Sequence, residues 1–449
     1  MGGVRAFVAE GLGHSSYVID LGDGSAALID PPRFPVEHLA EMAARGLVAR
    51  WTIDTHSHAD YVTGSPALAA AHDDITFAAP AASRLGTRHF GLYDDDRVVL
   101  SPDVTLRAIA TPGHTPDHHA YVIERQGADT ALFSGGTLMV GTVGRTDLCG
   151  PELTETLAHE MFHSLRRFDH LPDTLAVYPT HGSGSFCSAT GGTSRTSTLG
   201  RERATNPLFR IADEDAFVEA LVAGFGSFPQ YFYRLPEINR RGPRRFASVP
   251  ELAPLDVEEL ERQVAGGAVV VDTRPVAEYA AAHIPGSISN ALRPAFGSLL
   301  GWVVDIDRPI AIVAGTDQDC TEIIRQCLDI GHDAVVGALD GGVTAWRGSG
   351  RTITGIRLVA PDEMVGTVID VRLSNEYVAG HVPEAINIEL GSLAAAVLPD
   401  GPITVMCGHG ERAMTGASLI AGRGHRDVNV LDGGPDEWSA RHGLALTVG

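Results

Sequence analysis

The sequence predicts a multi-domain α/β protein, and three observations support this prediction. The chain has 449 residues, enough for roughly two to four domains with substantial cores. Its C-terminal half contains two copies of one pattern, in which short Val- and Ile-rich runs alternate with helical patterns. That alternation is typical of a parallel sheet flanked by helices. The N-terminal half instead has strand-like runs separated by Gly and Asp turns, and histidines on the loops that follow.

Composition and charge exclude several classes of function. The chain is 44% hydrophobic and 20% charged, as expected of a folded globular protein. Its formal net charge of −22 argues against nucleic acid or an anionic membrane as a partner, because both would repel it. The N-terminal segment has no basic region followed by an apolar run, so no secretory signal is expected. No apolar stretch is long enough to span a bilayer.

The cysteines indicate the compartment. Five are present, sparse and without zinc-knuckle spacing. This pattern predicts a reducing, cytoplasmic environment. The oligomeric state is left open, with a homo-oligomer among the options.

The first domain is predicted to cover residues 1–225. Strand-like runs appear early, at Ser16 to Ile19 and Ala26 to Ile29, and later strands lead into loops at Thr55, Thr111 and Thr180. Two histidines one residue apart on a loop that leaves a strand can face the same metal ion. The candidate metal ligands on these loops are His56, His58, Asp60, His114 and His181.

These histidine loops resemble the metallo-β-lactamase fold, an αββα sandwich with metal at one sheet edge. The segments 141–148 and 181–187 narrow the likeness to persulfide dioxygenases, over about residues 4–210. The resemblance implies an iron ion held by two histidines and an aspartate. His56 and His114 occupy the two histidine positions, but Gly136 stands where the aspartate is expected, and Tyr61 replaces the last histidine of the metal loop.

Three interpretations of this site stay open. A single metal ion, zinc or iron, is held by His56, His58 and His114, with Asp60 or His181 as a substitute ligand. Alternatively the site is empty and its histidines are structural, or it is an active iron dioxygenase.

Residues 226–253 are predicted to form a linker. They are rich in Gly, Pro and Arg, and residues 239–245 contain four arginines. We expect a solvated segment whose arginines pair with acidic neighbours, with anion binding as the alternative.

Two tandem domains follow, at 254–350 and 356–449. The segment Asp272 to Tyr279 returns as Asp370 to Tyr377, and His283-Ile-Pro returns as His381-Val-Pro, both at an offset of 98. A Leu-Asp-Gly-Gly segment followed by Trp closes each copy, at 339–346 and 431–438. Such self-similarity predicts two domains of the same fold.

The second copy contains a candidate nucleophile. A hydrophobic run ends at Met406 and leads into the loop Cys407-Gly-His-Gly-Glu-Arg412, which precedes a helix-like run. A loop that opens a helix directs backbone N–H groups and the positive end of the helix dipole at one spot, which stabilises a thiolate. We predict Cys407 and Arg412 as catalytic residues. The predicted substrate-binding residues are Gly408, His409, Gly410 and Glu411.

The repeated segments and the cysteine loop resemble rhodanese domains, sulfurtransferases that carry a sulfane sulfur as a cysteine persulfide. The order of the two halves also matches persulfide dioxygenases fused to rhodanese domains. In the first copy Ala314 lies opposite the nucleophile and Asp319 opposite Arg412. We therefore expect the first copy to be inactive and to serve as a structural or docking domain. Cys320 and Cys327 are predicted to be buried structural thiols.

Together these patterns predict an enzyme of sulfane-sulfur metabolism. The expected substrates are small sulfur compounds such as glutathione persulfide, thiosulfate and sulfite. Two alternatives are a metal-dependent hydrolase acting on a thioester or other glutathione-linked substrate, and a non-catalytic N-terminal scaffold that presents sulfur carriers to Cys407.

Overall fold

A computed structural model describes residues 3–182, 185–187 and 194–449. It divides into two compact units: Met1–Val249 with Leu328–Gly331, and Pro250–Cys327 with His332–Gly449. Among the described residues, no helix combines the length and hydropathy needed to cross a membrane.

The described part of the first unit contains two six-stranded sheets. In the first sheet, strands β1 to β6 follow chain order, antiparallel up to β3 and parallel from β3 onwards. The second has the order β12-β11-β10-β9-β8-β7, with β10 and β11 parallel and the other pairs antiparallel. The strands are β1 (Val4–Ala9), β2 (His14–Asp20), β3 (Ser25–Ile29), β4 (Val48–Ile53), β5 (Thr76–Pro80), β6 (Phe90–Leu92), β7 (Arg97–Ser101), β8 (Val104–Ala110), β9 (His119–Arg125), β10 (Ala128–Gly135), β11 (Ala176–Pro179) and β12 (Ser197–Thr198).

The two sheets pack face to face, with helices on both outer faces. Tyr17 of the first sheet meets Phe133 of the second edge-on, with ring centroids 5.2 Å apart, inside one buried cluster. Leu68 and Met42 cover the outside of the first sheet, and α3 and α5 cover the second. The helices are α1 (Val36–Ala44), α2 (Ser65–Ala71), α3 (Pro151–Arg166), α4 (Leu199–Thr205), α5 (Glu214–Ala223) and α6 (Leu235–Arg241). This is the αββα sandwich that the sequence predicted.

The segment assigned to a linker differs from the expectation over part of its length. Its apolar residues Phe232 and Leu235 are buried within the first unit, and α6 follows. The side chain of Asn239 is buried and donates to the carbonyl oxygens of His58 and Tyr61, at 2.9 Å each. The apolar residues anchor this stretch, and it supports the histidine loop. The expectation holds for Arg240, which pairs with the acidic Glu237.

The second unit contains two five-stranded parallel sheets with the same strand order. The orders are β13-β17-β16-β14-β15 and β18-β22-β21-β19-β20, so each strand of one copy has a counterpart in the other. The strands are β13 (Pro254–Leu255), β14 (Val269–Asp272), β15 (Ile288–Ser289), β16 (Ile310–Val313), β17 (Val335–Leu339), β18 (Arg357–Val359), β19 (Thr367–Asp370), β20 (Ile386–Asn387), β21 (Ile403–Met406) and β22 (Val428–Leu431). The helices are α7 (Val257–Ala265), α8 (Val276–Ala281), α9 (Phe296–Val303), α10 (Cys320–Asp329), α11 (Gly342–Gly348), α12 (Ser374–Ala379), α13 (Glu411–Gly422) and α14 (Pro435–His442).

The repeated segment forms the same set of contacts inside each copy. In the second copy, Arg372 pairs with Asp370 at 2.6 Å and donates to the carbonyl of Gly380, while the Tyr377 ring stacks on His381 at 3.7 Å. The same contacts recur in the first copy, including a stack at 3.8 Å. The residues that identify the repeat therefore have a structural role in each copy.

The first copy packs against the helix that opens at the cysteine loop. The hydroxyl of Ser418 in α13 accepts from the backbone N–H of Ser289 at 3.1 Å. Trp302 lies so close to Gly391 that a Cβ there would be 2.4 Å from its ring. Within the second unit, the first copy thus buries a face of α13.

Candidate functional site

Cys407 directly follows β21 and begins the short loop that leads into α13. Its side chain is 1% exposed. The backbone N–H of Gly410 donates to its Sγ at 3.1 Å. Gly410 has φ of +99°, which only glycine adopts without strain, so this amide can turn toward the sulfur. The start of a twelve-residue helix adds partial positive charge at the same place. The sulfur therefore lies next to a backbone donor and the positive end of a helix dipole.

The other residues of the loop differ in how far they are exposed. His409 is exposed, while Gly408 and Glu411 are half-buried. Gly434, from the closing Gly-Gly segment, packs against the loop, since a Cβ there would lie 2.3 Å from the carbonyl oxygen of Gly408. Of the predicted substrate-binding residues, His409 is therefore exposed, Gly408 and Glu411 are half-buried, and Gly410 is buried against the sulfur.

Arg412 is held by a carboxylate that the sequence reasoning did not include. Its guanidinium meets both oxygens of Glu376, at 2.7 and 2.8 Å. Burial opposes the charge of Arg412, but Glu376 and the nearby Cys407 outweigh it and raise the pKa of Arg412. Glu376 belongs to the repeated motif, and its position in that motif is the signal that could have identified it. Arg412 therefore stays a fixed positive charge beside the loop.

The corresponding loop of the first copy is closed by its own side chain. Gln318 Oε1 accepts from the backbone N–H of Gly315 at 2.8 Å and from the hydroxyl of Thr273 at 2.9 Å. Ala314 directly follows β16, in the place that Cys407 has after β21. The prediction about Cys320 is wrong: it is exposed at the first position of α10, whereas Cys327 is buried as expected.

Three histidines of the first unit converge where loops from both sheets meet. The loops after β4, β8 and β11 bring His56, His114 and His181 together, all buried, with ligand atoms within 4.8 Å of one another. Burial lowers the pKa of His114 to about 3, so its imidazole is neutral at physiological pH. Nε2 of His114 is buried without a hydrogen-bond partner. A neutral imidazole with a free buried nitrogen is the state that binds a metal.

The other two predicted ligands, His58 and Asp60, form a second candidate ligand group with His181. Nε2 of His58 lies 3.2 Å from Oδ1 of Asp30, another residue missed by the sequence reasoning. Burial opposes the charge of Asp30, but His58 outweighs it and lowers the pKa of Asp30. Asp60 lies 3.1 Å from Nδ1 of His181. Asp30 directly follows β3, and an acidic residue at a strand end was the available sequence signal.

The ligand set implied by the persulfide dioxygenase resemblance does not fit this site. Gly136 has no side chain, and a Cβ there would lie 2.3 Å from Cδ2 of His114. Its backbone N–H donates to Nε2 of His118 at 2.8 Å. The His114 ring thus occupies the space that a side chain at 136 would need, so an iron centre with two histidines and a carboxylate at 136 is excluded in this arrangement.

A family model of the rhodanese-like domain matches residues 256–349 and 357–441. These are two rhodanese-like domains. The assignment agrees with the two parallel sheets, which have the same strand order, and with the structural contacts that recur in each copy. Only the second rhodanese-like domain has a cysteine after its central strand, because the first has Ala314 there.

The N-terminal half is similar to metallo-β-lactamase-fold proteins. It is 34% identical over 175 residues to a hydroxyacylglutathione hydrolase of Cupriavidus metallidurans, covering 37% of this chain and 62% of the relative. The chain thus spans about three-fifths of the length of this relative. A metallo-β-lactamase structure from Staphylococcus aureus matches 75% of this chain and 98% of its own, with 25% identity and a TM-score of 0.68. ETHE1 from Myxococcus xanthus matches 53% of this chain and 97% of its own, with 26% identity and a TM-score of 0.46.

The protein therefore combines a metallo-β-lactamase fold with two rhodanese-like domains, as predicted. The histidine loops of the first unit bring predicted ligands close to one another, and the cysteine loop places Gly410 next to Cys407. His58 lies outside the group of His56 and His114, but it forms a second candidate ligand group with Asp60 and His181 and also pairs with Asp30.

Proposed function

We propose that this protein is a sulfurtransferase that carries a sulfane sulfur as a persulfide on Cys407. The observation that supports the proposal is the placement of Sγ at the start of α13, 3.1 Å from the Gly410 amide. In this proposal residues 356–449 are the catalytic rhodanese domain, residues 254–350 its inactive partner and residues 1–225 the metal-binding half, joined through 226–253.

The transfer proceeds in two steps. The Cys407 thiolate attacks the outer sulfur of thiosulfate or of a persulfide, forming a new S–S bond. The old bond to that sulfur breaks, and sulfite or a thiolate leaves with the electron pair. An acceptor thiolate or sulfite then attacks the outer sulfur of the enzyme persulfide, and Cys407 leaves as a thiolate. No external oxidant or reductant is needed.

The loop stabilises negative sulfur in both steps. The Gly410 N–H and the helix dipole act on Sγ directly. Arg412 adds a fixed positive charge, although its two terminal nitrogens already bind Glu376. His409, in the same loop, is exposed and is available to contact an incoming anion. Small anionic sulfur compounds are therefore the proposed substrates.

Mass spectrometry tests the proposal. Thiosulfate-treated protein should gain the mass of one sulfur atom, and Cys407→Ser should abolish that gain. Cys320→Ser is the matched control, because Cys320 is the exposed thiol of the inactive copy. Retention of the added sulfur in Cys407→Ser, or its loss in Cys320→Ser, would contradict the assignment.

A second activity is proposed for the N-terminal half: metal-dependent hydrolysis of a glutathione-linked thioester. The convergence of His56, His114 and His181 supports it, as does the similarity to hydroxyacylglutathione hydrolase. A divalent metal held by these histidines would polarise the thioester carbonyl as a Lewis acid. Persulfide dioxygenation is not included, because Gly136 supplies no carboxylate.

Turnover of an acyl-glutathione thioester by zinc-loaded full-length protein tests this second activity. We expect hydrolysis that a chelator stops and that Cys407→Ser leaves unchanged. Absence of hydrolysis in protein that has taken up zinc would refute it, and sulfur transfer would be unaffected by that result.

A further inference from the structure

We infer that His159, His163 and Glu214 form a binding site for one divalent metal ion, separate from the histidine loops of the sandwich. The three residues belong to the outer helices of the first unit, two to α3 and one to the start of α5. Two imidazoles and one carboxylate are a ligand set that zinc uses in proteins. No step of the two proposed activities uses these residues.

The two histidines lie on one face of α3, a helix of 16 residues. His159 and His163 are four residues apart, a spacing that places side chains one above the other on a helix surface. The segment His159-Glu-Met-Phe-His163 has the H-E-x-x-H pattern with which two histidines of one helix bind zinc. Leu157, Met161 and Leu165 of the same helix are buried in the core. The histidines therefore lie on the side of α3 that faces away from the sheet.

Both imidazoles meet the same carboxylate oxygen. Nδ1 of His159 lies 2.6 Å from Oε1 of Glu214, and Nε2 of His163 lies 3.1 Å from it. Glu214 is the first residue of α5 and is 55 residues from His159 in the chain. The packing of α3 against α5 thus brings three potential ligand atoms from two helices to one place.

Glu214 supplies a negative charge to this group. Its hydrogen bond with His159 lowers the pKa of Glu214, so its carboxylate is ionised at neutral pH. An ionised carboxylate and a neutral imidazole are the forms of these side chains that bind a metal. Each imidazole would bind the ion through the nitrogen that now faces Oε1 and would carry its proton on the other ring nitrogen.

The site adapts to an ion without a change in the core. In the structure Oε1 of Glu214 itself lies between the two nitrogens, so coordination requires the side chains to turn around an ion instead. The side chains of His159, His163 and Glu214 are 36%, 63% and 35% exposed, respectively. Their outer atoms are therefore free to move, while the two helices hold their backbones in place.

The surroundings of the site attract cations. A cavity of about 530 Å³ borders the site and is lined in part by His159, Glu155, Asp215 and Glu219. The negative charge of the three acidic residues favours a cation nearby. The cavity also admits the water that would complete the coordination of the ion.

Zinc binding to the full-length protein tests the inference. Isothermal titration calorimetry should detect one zinc equivalent more in the native protein than in His163→Gln. The matched control is His170→Gln, because His170 is an exposed histidine just beyond the end of α3. Equal zinc binding by the native protein and His163→Gln would overturn the inference, as would the same loss in His170→Gln. Since His163 is 63% exposed, its replacement should leave the melting curve of the zinc-free protein unchanged.

Electron paramagnetic resonance of copper-loaded protein identifies the ligands. Copper(II) binds sets of nitrogen and oxygen ligands more tightly than zinc does. The spectrum of His163→Gln is subtracted from that of the native protein, and the difference should show coupling to two nitrogen nuclei. Coupling to three nitrogen nuclei, or no difference between the spectra, would overturn the assignment. Glu214→Gln should weaken the additional zinc equivalent by about tenfold or more, because a neutral amide replaces the carboxylate. An unchanged zinc affinity in that variant would exclude Glu214 as a ligand and overturn the site.

The proposed activities are measured on the same His163→Gln protein. Sulfur loading of Cys407 and hydrolysis of an acyl-glutathione thioester should both equal those of the native protein, while one zinc equivalent is lost. Loss of hydrolysis together with that zinc would assign the ion to the hydrolytic site and overturn a separate site on α3 and α5. Absence of either activity in the native protein would refute that activity alone, because zinc uptake by His159, His163 and Glu214 is measured independently.

Discussion

Replacement of Gly136 by alanine should destabilise the N-terminal half and weaken its metal affinity. The new Cβ would lie 2.3 Å from Cδ2 and 2.6 Å from Cγ of His114. Carbon atoms in ordinary contact are about 3.5–4.0 Å apart, so the ring would have to retreat by more than about 1 Å. That ring is buried, and its Nδ1 is tied to the Arg145 carbonyl at 2.8 Å.

The expected loss of stability follows from the clash with the His114 ring and from the hydrogen bond between His114 and Arg145. Overpacking a buried site costs about 1–3 kcal/mol, and losing the hydrogen bond of a buried nitrogen costs a similar amount. A combined loss of about 3 kcal/mol corresponds to a fall of about 6–12 °C in Tm for a domain of this size. Because His114 is displaced, the affinity for zinc should also fall by at least about tenfold.

Circular dichroism melting of the full-length protein and a zinc titration measure the two effects. Gly226→Ala is the matched control, because a Cβ there meets no atom within 4 Å. If Gly136→Ala melts together with Gly226→Ala and keeps its zinc affinity, the proposed packing of His114 is refuted. The same clash means that Gly136→Asp should not create an iron dioxygenase. Oxygen consumption by that iron-loaded variant with glutathione persulfide would refute the exclusion.

Three further outcomes are expected. Glu376→Gln should slow sulfur transfer and lower Tm by the equivalent of about 1 kcal/mol, whereas the exposed Glu278→Gln should not. Burial raises the pKa of Glu376, but its partner Arg412 has the larger effect and lowers it. The difference in Tm between the native protein and Glu376→Gln should therefore disappear only when the pH falls through that lowered pKa. Ala314→Cys should acquire no persulfide from thiosulfate, because Gln318 already binds the loop amide; sulfur on that cysteine would contradict this account. Burial lowers the pKa of His38 to about 3, so the unfolded state binds a proton below pH 6.5 that the folded state does not. This histidine alone should lower stability by about 3 kcal/mol between pH 6.5 and 4, so the fall measured by urea unfolding should be smaller in His38→Gln by about that amount.

The repeat allowed the sequence to predict most of the C-terminal architecture. Two segments at a constant offset of 98 must adopt the same fold, and their Asp, Arg, Tyr and His residues prove to form the same scaffold contacts in both copies. The side chain that closes the first loop was not predictable, because Glu411 stands at the matching position of the cysteine loop and no local pattern shows that Gln318 turns back onto its own loop amide.

For the metal site, the sequence predicted the loops but not the grouping of the ligands. Each histidine follows a strand, so its place at the sheet edge follows from local pattern alone. The direction of each imidazole depends on groups distant in the chain. His114 is fixed by the carbonyl of Arg145, 31 residues away, and His58 by Asp30, 28 residues away. No local periodicity carries that information.

The sequence by itself determined the domain types, the position of the candidate nucleophile and the absence of a cysteine at Ala314, because these depend on residue identity and short spacing. The tertiary structure decided which charges and nitrogens meet. It paired Arg412 with Glu376 and gathered His56, His114 and His181. These contacts join residues from separate helices or separate loops, and only the packing of the sheets brings these elements within a few ångströms.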